Sequence, residues 1–116
     1  MKRYVILVAY EPGLWERAAD ETREEWYADH RAFDKYVVRH GHHLGTAPLA
    51  GRETATTLRH VDNRLQVTDG PFAETTEMIA GYYDVELPDL DAAIAAGALL
   101  PDPFTVEIRP VETIDG

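Results

Sequence analysis

The residue with the clearest potential for chemistry in this sequence is His30. It lies in a helix-forming segment, at the i+4 position of an apolar stripe made by Trp26, Phe33 and Val37. An imidazole titrates near neutral pH and can move a proton in either direction, but within an apolar stripe it needs a hydrogen-bonding partner. Asp34 lies one helical turn further on. The pattern therefore predicts either an acid–base residue or a core or interface histidine satisfied by Asp34 or by a backbone carbonyl.

A second group of polar side chains follows in the segment TDGPFAETTE, residues 68–77. Asp69 and the Gly-Pro after it predict a chain reversal, because Gly tolerates unusual φ values and Pro fixes the next one. Asp69, Glu74 and Glu77 then place three carboxylates within nine residues. The loop leads directly into a strand, so it forms either a polar site at the edge of the scaffold or a solvated acidic surface.

The remaining histidines offer weaker candidates for a metal site. His40, His42, His43 and His60 supply imidazoles, but their spacing matches no regular metal-binding element, and we interpret them as solvated loop histidines. The chain has no cysteine, no phosphate-binding loop and no dinucleotide fingerprint. We therefore expect neither a metal nor an organic cofactor.

Charge and length limit the classes of protein. The chain has 11 basic and 21 acidic residues, a net charge of −10, which disfavours binding to nucleic acids and anionic membranes. No apolar run is long enough to cross a bilayer, and the N-terminus reads as a strand, so we expect a cytoplasmic protein. The length predicts a single domain over residues 1–116.

The predicted elements indicate an α+β fold. Strands are expected over residues 3–10, 54–61, 64–68, 78–87 and 104–111, a long helix over 22–40 and a short one over 90–96. Thr22 and Glu25 predict a capping box and Asp62-Asn63 a hairpin turn, and the alternation over 78–87 places Ile79 and Tyr83 on one face of their strand. This order favours a ferredoxin-like sandwich over a glyoxalase-type fold. Because the first strand is apolar on both faces while two helices cover only one, we predict a homodimer.

Several motifs together resemble the YCII-related family, in the branch of DGPF-domain proteins. They are ATTLR (55–59), VTDGPFAETTE (67–77), GYY (81–83), DLDAAI (89–94), VEIRPV (106–111) and HRAF (30–33). The resemblance implies a ferredoxin-like fold, two subunits forming a dimeric α/β barrel, and a pocket where a histidine and an aspartate meet. Some relatives are linked to dehalogenation or isomerisation of chlorinated aromatic products, and members of the branch are often encoded beside extracytoplasmic-function sigma factors.

The resemblance assigns roles to particular residues. The family histidine falls on His30 and the motif aspartate on Asp69, which implies a catalytic pair in which Asp69 orients the imidazole. Asp34 is the rival partner, and Glu74 and Glu77 match the branch pattern as ligand-binding acids. Three positions depart from the branch pattern: Thr76 replaces a usual Lys, Ala80 replaces a usual Gly, and the second helix lacks the usual AxRxP ending. The loss of the Lys raises the negative charge beside the three carboxylates and so bears on the ligand.

Two tyrosines complete the list of candidates. Tyr82 or Tyr83 would donate a hydrogen bond to a developing oxyanion, or would belong to the core.

Two functions follow from these residues. The first is a cofactor-independent isomerase, lyase or hydrolase acting on a small organic molecule. The second is a non-catalytic homodimer that binds a metabolite or a regulatory protein in a sigma-factor pathway.

Overall fold

The computed structural model describes residues 1–114. Within them the helices and strands follow in the order β1 (Lys2–Tyr10), α1 (Leu14–Arg17), α2 (Asp20–His40), β2 (His42–Pro48), β3 (Thr56–Val61), β4 (Arg64–Asp69), β5 (Met78–Leu87), α3 (Leu90–Gly97) and β6 (Thr105–Pro110). A 3-10 turn, Arg52–Thr54, lies between β2 and β3. None of the helices in this part of the chain combines the length and apolar character needed to cross a bilayer.

Four of the strands form one antiparallel sheet in the order β2-β5-β1-β6. The connection through α2 joins β1 to β2 across β5, and the connection through α3 joins β5 to β6 across β1. This α+β arrangement is compatible with the predicted ferredoxin-like sandwich. The remaining described strands, β3 and β4, pair with each other and form a separate two-stranded sheet.

The core lies between one face of the large sheet and the helices. Its members are buried apolar side chains from β1, β5, α2 and α3: Tyr4, Ile6, Val8, Phe33, Val37, Tyr83, Val85, Leu87, Ala93 and Ala96. On β1 the alternate residues Val5, Leu7 and Ala9 stay partly exposed. Within residues 1–114, the second face of the sheet therefore lacks the cover that the helices give the first.

The long helix starts earlier than the sequence predicts. It begins at Asp20, its N-cap is Ala19 and no side chain caps it, so the predicted capping box of Thr22 and Glu25 is wrong. Asp20 and Glu21 instead place negative charge in the first turn, where the helix dipole favours it. The predicted end at Gly41 is confirmed by a hydrogen bond from its backbone N–H to the Val37 carbonyl. In α3, the predicted cap at Asp89 is confirmed as well.

A register shift changes the faces of β5. Val8 pairs with Gly81 whereas Ala9 pairs with Ile79, so Ala80 has no partner on β1 and the strand bulges there. Ala80 is buried and Ile79 is half exposed. The prediction that Ile79 and Tyr83 lie on one face of the strand is therefore wrong, because the extra residue at the bulge reverses the alternation on its N-terminal side.

Candidate functional site

The fold brings His30 of α2 to Tyr83 of β5. The imidazole Nδ1 lies 2.5 Å from the Tyr83 phenolic oxygen, a hydrogen bond whose donor depends on the tautomer. Tyr83 alternates with Tyr82 along β5 and so points from the sheet toward the helices, where its ring packs 4.2 Å from that of Phe33. Phe104 covers the imidazole, with 5.7 Å between the two ring centroids.

Burial keeps both partners of this hydrogen bond neutral at neutral pH. It lowers the pKa of His30, although the nearby carboxylates of Asp34 and Asp29 act in the opposite direction. Burial also raises the pKa of Tyr83 to about 12, and Asp34 adds to that rise. A protonated phenol can both donate and accept a hydrogen bond, so Tyr83 can pair with either tautomer of the imidazole.

His30 and Tyr83 line a cavity of about 580 Å³, a volume typical of small-molecule sites. The imidazole Nε2 makes no hydrogen bond within residues 1–114 and is not among the unpaired atoms sealed from solvent there. This nitrogen is therefore accessible to solvent, on a residue that lines the cavity. Apolar and aromatic residues form most of the walls. They come from β1, α1, α2, β2, β5 and the connections next to β2 and β6, and they include Trp15, Tyr27, Leu49 and Phe104.

Asp34 and His43 form a second polar pair beside Tyr83. The His43 Nε2 lies 3.4 Å from Asp34 Oδ1, and both atoms are buried without a hydrogen-bond partner in the described residues. His43 belongs to β2, where its pairing with Val85 turns it toward the helices and its ring edge toward Tyr83. Its interpretation as a solvated loop histidine is therefore wrong. No pattern in the sequence singles out His43, because a register shift between His43 and Gly45 breaks the alternation of β2.

The other histidines stay apart from this group. His40 ends α2, while His42 and His60 are exposed on strands β2 and β3. In the part of the chain that the structure describes, no three or more side chains of suitable type are grouped to hold a metal ion.

Asp69 lies elsewhere in this structure. It is the last residue of β4, is exposed, and is not among the residues that line the cavity of His30. Its pairing with His30 stays a prediction, and the carboxylate that acts electrostatically on both His30 and Tyr83 is that of Asp34. Tyr82 contributes to the lining of the cavity, although its pairing with Leu7 and Ala47 turns its side chain to the opposite face of the sheet.

The two glutamates after the turn have different surroundings. Both carboxylate oxygens of Glu77 lie 2.9 Å from Thr105 Oγ1, which donates to them and ties the end of the loop to β6. Glu74 is exposed and makes no side-chain hydrogen bond within residues 1–114. Neither glutamate lines the cavity of His30, so their roles in ligand binding stay predictions.

A second hollow of about 400 Å³ lies under the segment Pro71–Ala73. Arg52 donates to the Thr75 carbonyl at 2.7 Å and Arg59 to the Phe72 carbonyl at 2.9 Å, and these bonds hold the loop over the hollow. Leu49, Ala50 and Gly51 border both hollows, so the two are neighbours.

The fold and the site together define a small α+β protein with a histidine–tyrosine pair between its sheet and its long helix. Residues 2–114 match the model of the YCII-related domain, and the chain belongs to this family. It is also 30% identical, over 112 residues, to an uncharacterized protein of Rhizobium meliloti (strain 1021). That similarity covers 93% of this chain and 90% of the relative.

Proposed function

We propose that this protein is a cofactor-independent enzyme that transfers a proton on a small organic molecule, with His30 as the proton carrier. The observation that carries the proposal is the pairing of His30 with Tyr83 at the wall of an accessible cavity. Neutral imidazole is the form that accepts a proton, and burial maintains that form at neutral pH.

The reaction that suits this site is removal of a proton next to a carbonyl group. His30 Nε2 takes the proton, the C–H electron pair forms an enolate, and Nδ1–H donates to Tyr83. Asp34 and Asp29 stabilise the imidazolium, since their charges favour the protonated ring. Return of the proton to a different carbon yields an isomer and restores neutral His30, so no oxidant or second reactant is consumed.

Tyr10 is our candidate donor for the enolate oxygen. It lines the same cavity as His30, and its ring packs on Phe104 with 5.0 Å between centroids. Burial raises the pKa of its phenol, and Glu16 adds to the rise, so the hydroxyl keeps its proton at neutral pH. A protonated phenol at the cavity wall can stabilise negative charge that develops on a substrate oxygen.

We further propose that the working form is a homodimer. The partly exposed Val5, Leu7 and Ala9 give the uncovered sheet face an apolar centre, which a second sheet would bury as in the dimeric α/β barrel that the family resemblance implies. Asp69 does not line the cavity of His30 in the single chain. It would reach His30 only through a movement of its loop or from a second subunit. The Asp34 carboxylate needs no such movement.

Deuterium exchange tests the proposed function. The protein is incubated in D2O with enolisable ketones, namely cyclohexanone, acetophenone and 2-indanone, and loss of the α-proton signal is followed by proton NMR. We expect faster exchange of at least one ketone, and His30→Asn should abolish the acceleration. His40→Asn, the same change at an exposed position of the same helix, is the matched control and should leave the rate unchanged.

Two results would contradict the proposal. One is exchange that persists in the His30→Asn variant. The other is binding of the ketones at His30, seen as shifted imidazole signals, with no exchange; this result would support the alternative function as a metabolite-binding protein.

A further inference from the structure

The strands β3 and β4 with their turn, residues 56–69, form a hairpin that we name the arm. The arm is a sheet of its own, and nearly all of its residues are exposed. Its turn residues Asp62 and Asn63 have φ values of 51° and 63°, which are those of a tight hairpin turn. With six residues in each strand, it extends about 20 Å at about 3.3 Å per residue.

The two faces of the arm differ in chemistry. Cross-strand pairing places Leu58 opposite Val67 and His60 opposite Leu65, so the three apolar side chains share one face. The exposed fraction is 59% for Leu58, 63% for Val67 and 54% for Leu65. The opposite face carries polar pairs such as Arg59 with Gln66. A two-stranded hairpin is only marginally stable alone in water, so an arm with a bare apolar face requires a surface to pack against.

The charges of the chain indicate which surface that is. The arm contains two Arg and two Asp, whereas the rest of the chain contains nine basic and 19 acidic residues and so carries the whole net charge of −10. The arm is therefore a segment that an acidic copy of this chain does not repel. Its exposed Arg64 also complements Glu86, which lies on the uncovered sheet face, where Asp84 and Glu107 are already paired with Arg3 and Arg109.

We propose that the arm packs its apolar face against a second copy of this chain. In a dimer with twofold symmetry each subunit then clasps the other, and every contact of the arm occurs twice. Phe72 and Ile79 near the base of the arm are 75% and 50% exposed, which continues the apolar surface toward the body of the protein. This inference requires the proposed dimer but not the proposed proton transfer.

Sedimentation equilibrium of the full chain tests the arm. Leu58→Lys places a charge on the apolar face, and Gln66→Lys places the same charge on the opposite face of the same hairpin as a matched control. We expect Leu58→Lys to raise the dissociation constant of the dimer at least about tenfold, which corresponds to about 1.4 kcal/mol. Val67→Lys should raise the dissociation constant by a similar factor, whereas Gln66→Lys should change it less than about twofold.

Circular dichroism of each variant checks folding, which should persist because Leu58 and Val67 are exposed within the single chain. The proposal is overturned if the wild type is monomeric at all concentrations, or if the three variants have equal effects. A dimer that stays intact in both Leu58→Lys and Val67→Lys would also overturn the proposed role of the arm. The proposed pairing of the sheet faces would then still stand. Deuterium exchange on the ketones provides a separate readout for the proposed enzyme.

Discussion

The Nδ1 of His30 and the phenolic oxygen of Tyr83 lie 2.5 Å apart, although 53 positions separate these residues in the chain. One side chain comes from the long helix and the other from the strand that the helix covers. Their contact gives the imidazole the hydrogen-bonding partner that its place in an apolar stripe requires. It also leaves Nε2 without a hydrogen bond in residues 1–114, on a residue that lines an accessible cavity, so the same contact serves both the packing and the proposed chemistry.

Tyr83→Phe should keep the fold while weakening the site. The phenyl ring still packs against Phe33, but Nδ1 loses its partner, so we expect the free energy of unfolding to fall by about 0.5–1.5 kcal/mol. The ring nitrogens of His30 should change their nitrogen-15 shifts, because Nδ1 loses its hydrogen bond to Tyr83. Tyr82→Phe is the matched control, and equal shifts in both variants would contradict the assignment.

The stability of the protein should depend on pH through His30. Burial lowers its pKa below 6.5 in the folded state, so between the two pKa values the unfolded chain binds more protons. The stability that neutral His30 contributes is therefore fully present above pH 6.5. It is lost as the pH falls from 6.5 toward the lowered pKa of the folded state. Melting temperatures measured between about pH 7.5 and about pH 5 should fall more steeply for the wild type than for His30→Asn. Parallel curves would be inconsistent with a lowered pKa.

Glu77→Ala should affect stability more than Glu74→Ala. The first change removes the acceptor of the Thr105 hydroxyl, and we expect it to cost about 0.5–1.5 kcal/mol in urea unfolding. The second removes an exposed side chain with no such bond and should cost less than about 0.5 kcal/mol. Equal effects would show that the link between the loop and β6 does not stabilise the protein.

Gly41→Ala should destabilise the junction between α2 and β2. A Cβ at this position would lie 1.9 Å from the backbone oxygen of Glu86, so the strand would have to shift, at a cost of about 1–3 kcal/mol. Gly45→Ala in the adjoining strand β2 is the control, because its Cβ would meet no atom within 4 Å. Thermal unfolding of the two variants should differ clearly, and a stable Gly41→Ala protein would contradict the close packing seen there.

Much of the fold follows from local patterns. The apolar run of β1, the stripe of Trp26, Phe33 and Val37, the hairpin turn at Asp62-Asn63 and the cap at Asp89 all have short-range physical causes, and the structure contains each of them. Family motifs identified the YCII-related domain, which the comparison with family models confirms.

The site was less predictable because its contacts are long-range. His30 could be recognised as a polar residue in an apolar stripe, but its partner Tyr83 reads as an ordinary strand tyrosine until α2 and β5 pack together. The short helix α1 escaped prediction, since four residues are too few to show a period. The faces of β5 beyond Gly81 could not be predicted either, because the bulge at Ala80 arises from pairing with β1.

The most direct test of the account compares two titrations in one sample. The rate of ketone deuterium exchange is measured against pH, and the protonation of His30 is followed by nitrogen-15 NMR over the same range. We predict that the rate rises with the fraction of neutral His30, with a midpoint below pH 6.5, and that His30→Asn removes the exchange. An exchange rate that follows a different group, or that is unchanged in the variant, would contradict the central claim.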